Sequence, residues 1–332
     1  MSVALPQPVL DVHGLSKHFT SGSLFRRTAK VRAVDEVSFA LVPGRITALV
    51  GESGSGKSTV ARLLSRLYKP TDGTILFRGA DVSKASGRRA LLRYHAEVQM
   101  IFQDPFGSLN PVKKIEHHLR RPLLIHGVVP RREVHARVLE LLRSVGLVPP
   151  EDIAGKFPHQ LSGGQRQRVA IARALAVEPK VILADEPISM LDVSIRLGIL
   201  NLMLDLKEQH DIAFLYVTHD IASARYVADE VMVMYAGQIV EHGPTDEVLH
   251  HPLHPYTKLL LSAVPNPEAG LTHAKLPPRG NRLQAHTTEG CRFADRCPLA
   301  LESCLTTPPQ LIELRPGHLV RCPVVSANGA HT

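Results

Sequence analysis

Along the first ninety residues, apolar and polar positions alternate and break in a way that predicts strands around one dominant loop. Within Val31–Leu41, the residues Val37, Phe39 and Leu41 share a face, the period-two pattern of a half-buried strand. Ile46–Val50 is nearly all apolar, as a strand buried on both faces would be. It runs into Gly51-Glu-Ser-Gly-Ser-Gly-Lys-Ser58, and a helical pattern then extends through Leu67 to the turn cluster Pro70-Thr-Asp-Gly73. From about Pro111 to Ala176 the period changes. Val134, Val138, Leu141, Leu142 and Val145 recur at helical spacing, so a mostly helical section with one inward face is predicted. Two apolar strands, Val181–Ala184 and Ala213–Val217, flank a helix carrying Ile199, Leu202, Met203 and Leu206. This alternation predicts a parallel sheet with helices on its faces. Beyond Pro252 the sequence becomes proline-rich and weakly periodic, which places a boundary near residue 255.

Composition narrows the class. A chain of 332 residues with 44% apolar and 21% charged residues is globular, which excludes extensive disorder and collagen-like structure. No apolar run approaches the roughly 18 residues of a membrane span. Met1-Ser-Val-Ala-Leu-Pro6 lacks the basic and apolar regions of a secretory signal, so a cytosolic chain is expected, at a membrane only if a partner holds it there. Basic residues outnumber acidic ones, 39 to 31, giving a net charge of +8. The excess is scattered apart from Arg26-Arg27, Arg88-Arg89 and Arg131-Arg132. Aromatics are 5% of the chain and no base-stacking or zinc-finger pattern occurs. The expectation is therefore a solvated surface beside anionic lipid, with no nucleic-acid partner.

Gly51-x4-Gly56-Lys57-Ser58 has the residue types that bind phosphate between a strand and a helix. Gly54 and Gly56 let the backbone curl so that successive N–H groups converge on an anion, and the following helix adds its dipole. Lys57 can neutralise phosphate charge, and the Ser58 hydroxyl can hold Mg²⁺. Val181-Ile-Leu-Ala-Asp-Glu186 ends an apolar strand in two acids, which delivers carboxylates to the edge of the sheet where ligands bind. Asp185 is then a Mg²⁺ ligand, and Glu186 polarises the attacking water. Leu161-Ser-Gly-Gly-Gln165, more than 100 residues after the first loop, makes a second anion cradle from a hydroxyl, two glycine amides and a helix start. One chain can rarely fold both cradles onto one phosphate chain, so a dimer closing each cradle over its partner's nucleotide is expected.

With these residues the chain resembles the ATP-binding subunits of ABC transporters, in particular the oligopeptide/dipeptide/nickel importers. Gly51–Ser58 is similar to the Walker A motif, Val181–Glu186 to Walker B and Leu161–Gln165 to the family signature. Gln103 in Met100-Ile-Phe-Gln-Asp104 resembles the glutamine loop, Leu191-Asp192 the D-loop, and His219 in Val217-Thr-His-Asp220 the switch histidine. The resemblance implies an α/β P-loop ATPase core with an antiparallel β subdomain and a helical subdomain. The core spans 1–254, its helical part is about 105–175, and a small extension covers 255–332. It implies ATP contacts from Phe19, Gly51, Ser53, Gly54, Ser55, Gly56, Lys57, Ser58, Thr59, Gln103, Asp185, Ser162, Gly163, Gly164, Gln165 and Asp192. Ser58, Gln103 and Asp185 would hold Mg²⁺, and Glu186 and His219 would be catalytic. On its own, Phe19 also fits a plain core position in a strand. The narrower assignment rests on Gln103-Asp-Pro-Phe-Gly-Ser-Leu-Asn-Pro111 and His254-Pro-Tyr-Thr257. Ile188-Ser-Met190 departs from the family pattern but alters no charged or ligating group.

All four cysteines fall in the tail, spaced Cys291-x5-Cys297-x6-Cys304-x17-Cys322. A reducing compartment argues against disulfides, and the Cys-x2-Cys knuckles of zinc ribbons are absent. Four thiolates can bind Zn²⁺ or an iron–sulfur cluster and staple a segment that has little core of its own. The resemblance favours a [4Fe–4S] cluster. It also implies partners: two membrane permease subunits, a second ATPase subunit and an extracytoplasmic substrate-binding protein, with this chain peripheral on the cytoplasmic membrane face. A peptide importer is expected, with a soluble ABC ATPase of another class or an importer of nickel or another solute as the alternatives.

Overall fold

A computed structural model describes residues 7–21, 29–85, 87–263 and 289–325. The basic pair Arg26-Arg27 and the stretch Met1–Pro6 lie outside these residues. In chain order the first strands are β1 (Leu10–Ser21), β2 (Ala29–Leu41), β3 (Ile46–Val50), β4 (Asp72–Phe77), β5 (Ala80–Asp81) and β6 (Val98–Ile101). β7 (Val181–Asp185), β8 (Ala213–Thr218), β9 (Glu230–Tyr235), β10 (Gln238–Pro244), β11 (Ile312–Arg315) and β12 (His318–Val320) follow.

β2-β1-β4-β5 form a small antiparallel sheet. The predicted face of Val37, Phe39 and Leu41 is buried in it, against the helix Lys57–Leu64 and the underside of the main sheet. The main sheet runs β11-β12-β10-β9-β3-β8-β7-β6. In its parallel centre, β9-β3-β8-β7-β6, the strands β3, β7 and β8 are the fully buried apolar runs that the sequence marks, with β9 and β6 beside them. Helices Ile115–His126, Val134–Ser144, Pro150–Gly155 and Gly163–Leu175 occupy the middle section. Val134, Val138, Leu141, Leu142 and Val145 lie together in its core. The helix after the glycine loop ends at Leu64, short of the expected Leu67. Arg66 takes a left-handed φ of 60° that breaks the helix, and Leu67 is left exposed.

The tail is better packed than its proline content suggests. β12 pairs with β10 (Glu241 opposite Val320, His242 opposite Leu319), so the hairpin β11–β12 extends the main sheet. The helix Pro255–Ser262 buries Tyr256, whose ring meets Phe293 at 5.4 Å and Tyr235 at 4.6 Å. At this seam Glu241 and His318, both 0% exposed, pair at 2.8 Å. The Glu241 carboxylate also accepts from the Leu253 and His254 backbone N–H groups at 2.7 and 2.9 Å, so this buried charge is fully engaged. Phe293, Cys304, Val320 and Cys322 are buried as well, so the tail shares the main core instead of depending wholly on a staple.

Candidate functional site

The site begins where β3 ends. Gly51 and Gly56 have φ of 153° and 111°, and a Cβ at either would stand 2.2 Å from a backbone oxygen, that of Met234 and of Ala33 respectively. Only glycine fits, because the loop lies directly on the strands beneath it. The backbone of Ser55 is tied below by the Gly237 N–H, which donates to its carbonyl at 2.8 Å. The helix Lys57–Leu64 then leaves the loop with its N-terminus, and hence its dipole, facing the same space.

A cleft of about 570 Å³ opens above this loop. Gly51, Ser53, Gly54, Gly56, Lys57, Ser58, Thr59, Gln103, Glu186 and His219 line it, although they come from four separate stretches of sequence. Lys57 Nζ donates to the carbonyls of Gly51 and Glu52 at 2.8 and 2.9 Å. The Ser58 hydroxyl donates to Asp185 Oδ1 at 2.8 Å. Glu186 accepts from Gln103 Nε2 at 2.9 Å, and His219 Nδ1 stands 3.2 Å from its other oxygen. β7 and β8 are parallel neighbours, with Asp185 opposite Val217, which brings the acids and the histidine to one sheet edge. Glu186 itself has a φ of 47°, so the chain kinks where the strand ends; such strain at a side chain of this kind clusters at functional sites.

The electrostatics indicate what the cleft is suited to hold. Burial pulls the Lys57 ammonium below its usual pKa, although Glu186, Asp185 and Glu52 oppose the shift. Burial likewise raises the Asp185 carboxyl, against the Ser58 hydrogen bond. Each group carries a desolvation cost in its charged form. A polyanion beside Lys57 and a hard cation beside Asp185 and Ser58 would offset both costs at once.

Several predicted residues lie away from this cleft. Ser162 caps the helix Gly163–Leu175 in a capping box, its Oγ accepting from Gln165 N–H at 3.2 Å while Gln165 Oε1 accepts from Ser162 N–H at 3.0 Å. Gly164 lies where a Cβ would meet Ile195 at 2.6 Å, holding this helix against the helix Val193–His210. Ser162 and Asp192 are exposed, with Val193 beside them 78% exposed. Ser55 is buried under the loop. Phe19 is not packed as core. It is 38% exposed, edge-on to Tyr68 at 5.7 Å with Lys17 Nζ 5.3 Å from its ring. The cleft also gathers residues that sequence reasoning passed over: Ala33, Glu52 and Leu260. Glu52 stood in plain sight within the octapeptide, but as one of its variable positions.

None of the four cysteines is joined in a disulfide. Cys291 N–H donates to the Cys304 carbonyl at 2.7 Å, and the thiol of Cys291 feels those of Cys304, Cys322 and Cys297. Burial pushes the Cys291 and Cys297 thiols up, and the neighbouring sulfurs add to the shift. As they stand, no group of three or more His, Cys, Asp or Glu side chains among the described residues is arranged to hold a metal ion.

The ABC transporter family profile matches residues 34–189, and that of the oligopeptide/dipeptide transporter C-terminal region matches residues 240–304. The oligopeptide transport ATP-binding protein AppF of Bacillus subtilis is 42% identical over 98% of this chain and 100% of its own length. This chain is an ABC transporter ATP-binding protein of the oligopeptide/dipeptide type. The di/tripeptide transport ATP-binding protein DppF of Pseudomonas aeruginosa is 45% identical to this ABC ATPase over 92% of the chain and 94% of its own length. Among solved structures, the dimeric ATP-binding cassette MJ0796 bound to ADP and Pi superposes with a TM-score of 0.63 at 29% identity. That match covers 71% of this chain and 98% of the cassette. Among the described residues, no helix of the protein is long and apolar enough to cross a membrane.

Proposed function

We propose that this ABC ATPase hydrolyses ATP to energise import of di- and oligopeptides through a membrane transporter. The observation that carries the reading is similarity to peptide-transport ATP-binding proteins over almost the whole chain, C-terminal region included. The cleft supplies the chemistry. The loop amides, the helix N-terminus and Lys57 bind the phosphates of ATP, with Ser53, Ser55 and Thr59 completing the loop's contacts. Phe19 stacks on the adenine; its exposure and its edge-on neighbour Tyr68 support a surface role over a core one. Ser58, Asp185 and Gln103 would hold Mg²⁺, which when bound shields the phosphate charge. Their oxygen donors, one of them a buried carboxylate already bonded to Ser58, suit a hard cation.

Glu186 orients a water toward the γ-phosphoryl group and takes its proton, while Gln103 and His219, both within hydrogen-bond distance of that carboxylate, keep it aimed. Ser162, Gly163, Gly164, Gln165 and Asp192 act on the nucleotide of a second ATPase subunit across a dimer interface. Their position outside the cleft, with Ser162, Asp192 and the neighbouring Val193 exposed, supports this, as does the dimeric state of the similar cassette. The remaining partners are two membrane permease subunits and an extracytoplasmic binding protein, and the chain works peripherally at the cytoplasmic face. We divide it into an ATPase domain over 1–254, its helical part at about 105–175, and an extension over 255–332. By their chemistry the four thiols are a donor set that suits a [4Fe–4S] cluster, with Zn²⁺ as the alternative. They lie in the extension, outside the lining of the nucleotide cleft. Iron and acid-labile sulfide content after anaerobic purification tests this part.

Uptake of labelled di- and tripeptides by cells lacking this protein tests the main reading. The expected result is a loss that the native chain restores and Glu186→Gln does not. Unchanged peptide uptake, with loss of another solute, would replace peptide by that solute.

A further inference from the structure

The phosphate loop is gripped from outside the ATPase core. Arg296, one residue before Cys297, reaches Glu52 with both guanidinium nitrogens, Nη2 to Oε1 at 2.9 Å and Nη1 to Oε2 at 3.2 Å. Its guanidinium carbon lies over the rings of Tyr235 and Phe293, at 5.7 and 5.8 Å. The Glu52 backbone N–H donates to the Tyr256 hydroxyl at 3.0 Å, and the Glu52 carbonyl accepts from Lys57 Nζ. Three grips therefore converge on one loop residue, and two of them come from the C-terminal extension. Arg292, one residue after Cys291, makes a similar reach. It donates to the Ala236 carbonyl and to Asp35, while the next residue, Gly237, holds the Ser55 carbonyl. Leu260 of the extension also lines the nucleotide cleft.

Glu52 creates a problem for an ATP site. It places a carboxylate on the wall of a cleft whose ligand is a polyanion, where an unpaired charge would oppose binding. A bidentate arginine both cancels that charge and fixes its position, which a lysine would do less well. We propose that Arg296 is a positioning residue for the nucleotide site: it neutralises and holds Glu52, so that the C-terminal extension forms part of the ATP-binding machinery. The proposal rests on the ATP reading above. It assigns the extension a task within the ATPase reaction, independent of what the four thiols hold.

The test is ATP affinity and steady-state hydrolysis of the full chain, purified with the extension intact. Arg296→Met keeps an unbranched apolar side chain beside Phe293 and removes the charge together with its hydrogen bonds to Glu52 and the Tyr235 hydroxyl. It should weaken ATP binding about tenfold, as a rise in KM with kcat within about twofold. Arg296→Lys should recover part of the loss. The decisive variant is Arg296→Met combined with Glu52→Gln, which removes the orphaned carboxylate as well and should regain most of the affinity. Arg315→Ala, an exposed ion-pair residue of the same extension, should leave KM unchanged. If Arg296 served only to pack the extension, the double variant would be as weak as the single or weaker, and that result overturns the proposal. Native affinity in Arg296→Met overturns it too. Failure of the native chain to bind ATP would instead bring down the ATP reading, and this proposal with it.

Discussion

Replacing Glu186 by Gln removes a charge and a proton acceptor and almost nothing else. The amide is isosteric with the carboxylate: its oxygen can still accept from Gln103 Nε2, and its nitrogen can face His219 Nδ1, the two partners at 2.9 and 3.2 Å. The kink at φ 47° belongs to the backbone and is common to both side chains. Phosphate binding by Lys57 and the loop amides should therefore survive, with ATP affinity within about threefold of native. The hydrolytic step loses its base. A positioned general base contributes typically 10²–10⁴ in rate, so the barrier should rise by about 3–5 kcal/mol. The assay is single-turnover phosphate release at saturating ATP, beside equilibrium binding of the same nucleotide. A variant that binds ATP and turns over at least a hundredfold more slowly satisfies the reasoning. Turnover within threefold of native would refute the role of Glu186, and lost binding would show that its charge acts on the ground state.

Gly56→Ala should abolish nucleotide binding and lower the melting temperature, because its Cβ would sit 2.2 Å from the Ala33 carbonyl oxygen at a φ of 111°. Gly54→Ala meets nothing within 4 Å and should cost only the strain of its φ, about 1 kcal/mol, so the two melting curves should separate clearly. His254 offers a pH test. Burial pulls its pKa down from 6.5 to about 4, so the unfolded chain takes up a proton that the folded chain refuses. That contribution is complete above the unfolded value and is lost as pH falls toward 4, by about 2 kcal/mol between about pH 7 and pH 5. His254→Asn preserves an acceptor for the Tyr256 N–H, now bonded to Nδ1 at 3.0 Å, and should flatten this part of the urea-midpoint profile.

What the sequence disclosed was what depends on local spacing. The buried strands β3, β7 and β8 read directly from nearly continuous apolar runs, the glycine loop from its octapeptide, and the helix start at Ser162 from the Ser-Gly-Gly that opens it. The face of Val134, Val138, Leu141 and Leu142 was visible for the same reason. The features that escaped notice join distant stretches. Arg296 and Glu52 are 244 positions apart, so each reads alone as one more scattered surface charge. The pairing of β12 with β10, and the Glu241–His318 contact that seals it, arise only once the sheet exists. A proline-rich tail shows no periodicity because its apolar residues insert singly into a core built by others, as Phe293 and Tyr256 do. The kink at Glu186 likewise left no mark, since a positive φ at a non-glycine residue follows from tertiary packing and not from residue type.

The loop between β3 and its helix is expected to bind ATP through Lys57, and calorimetric titration of the purified chain with MgATP measures this. The native chain should bind one ATP. Lys57→Ala, which removes the only ammonium lining the cleft among the described residues, should bind at least tenfold more weakly. Equal affinity in the two proteins, or no binding by the native chain, would contradict the account.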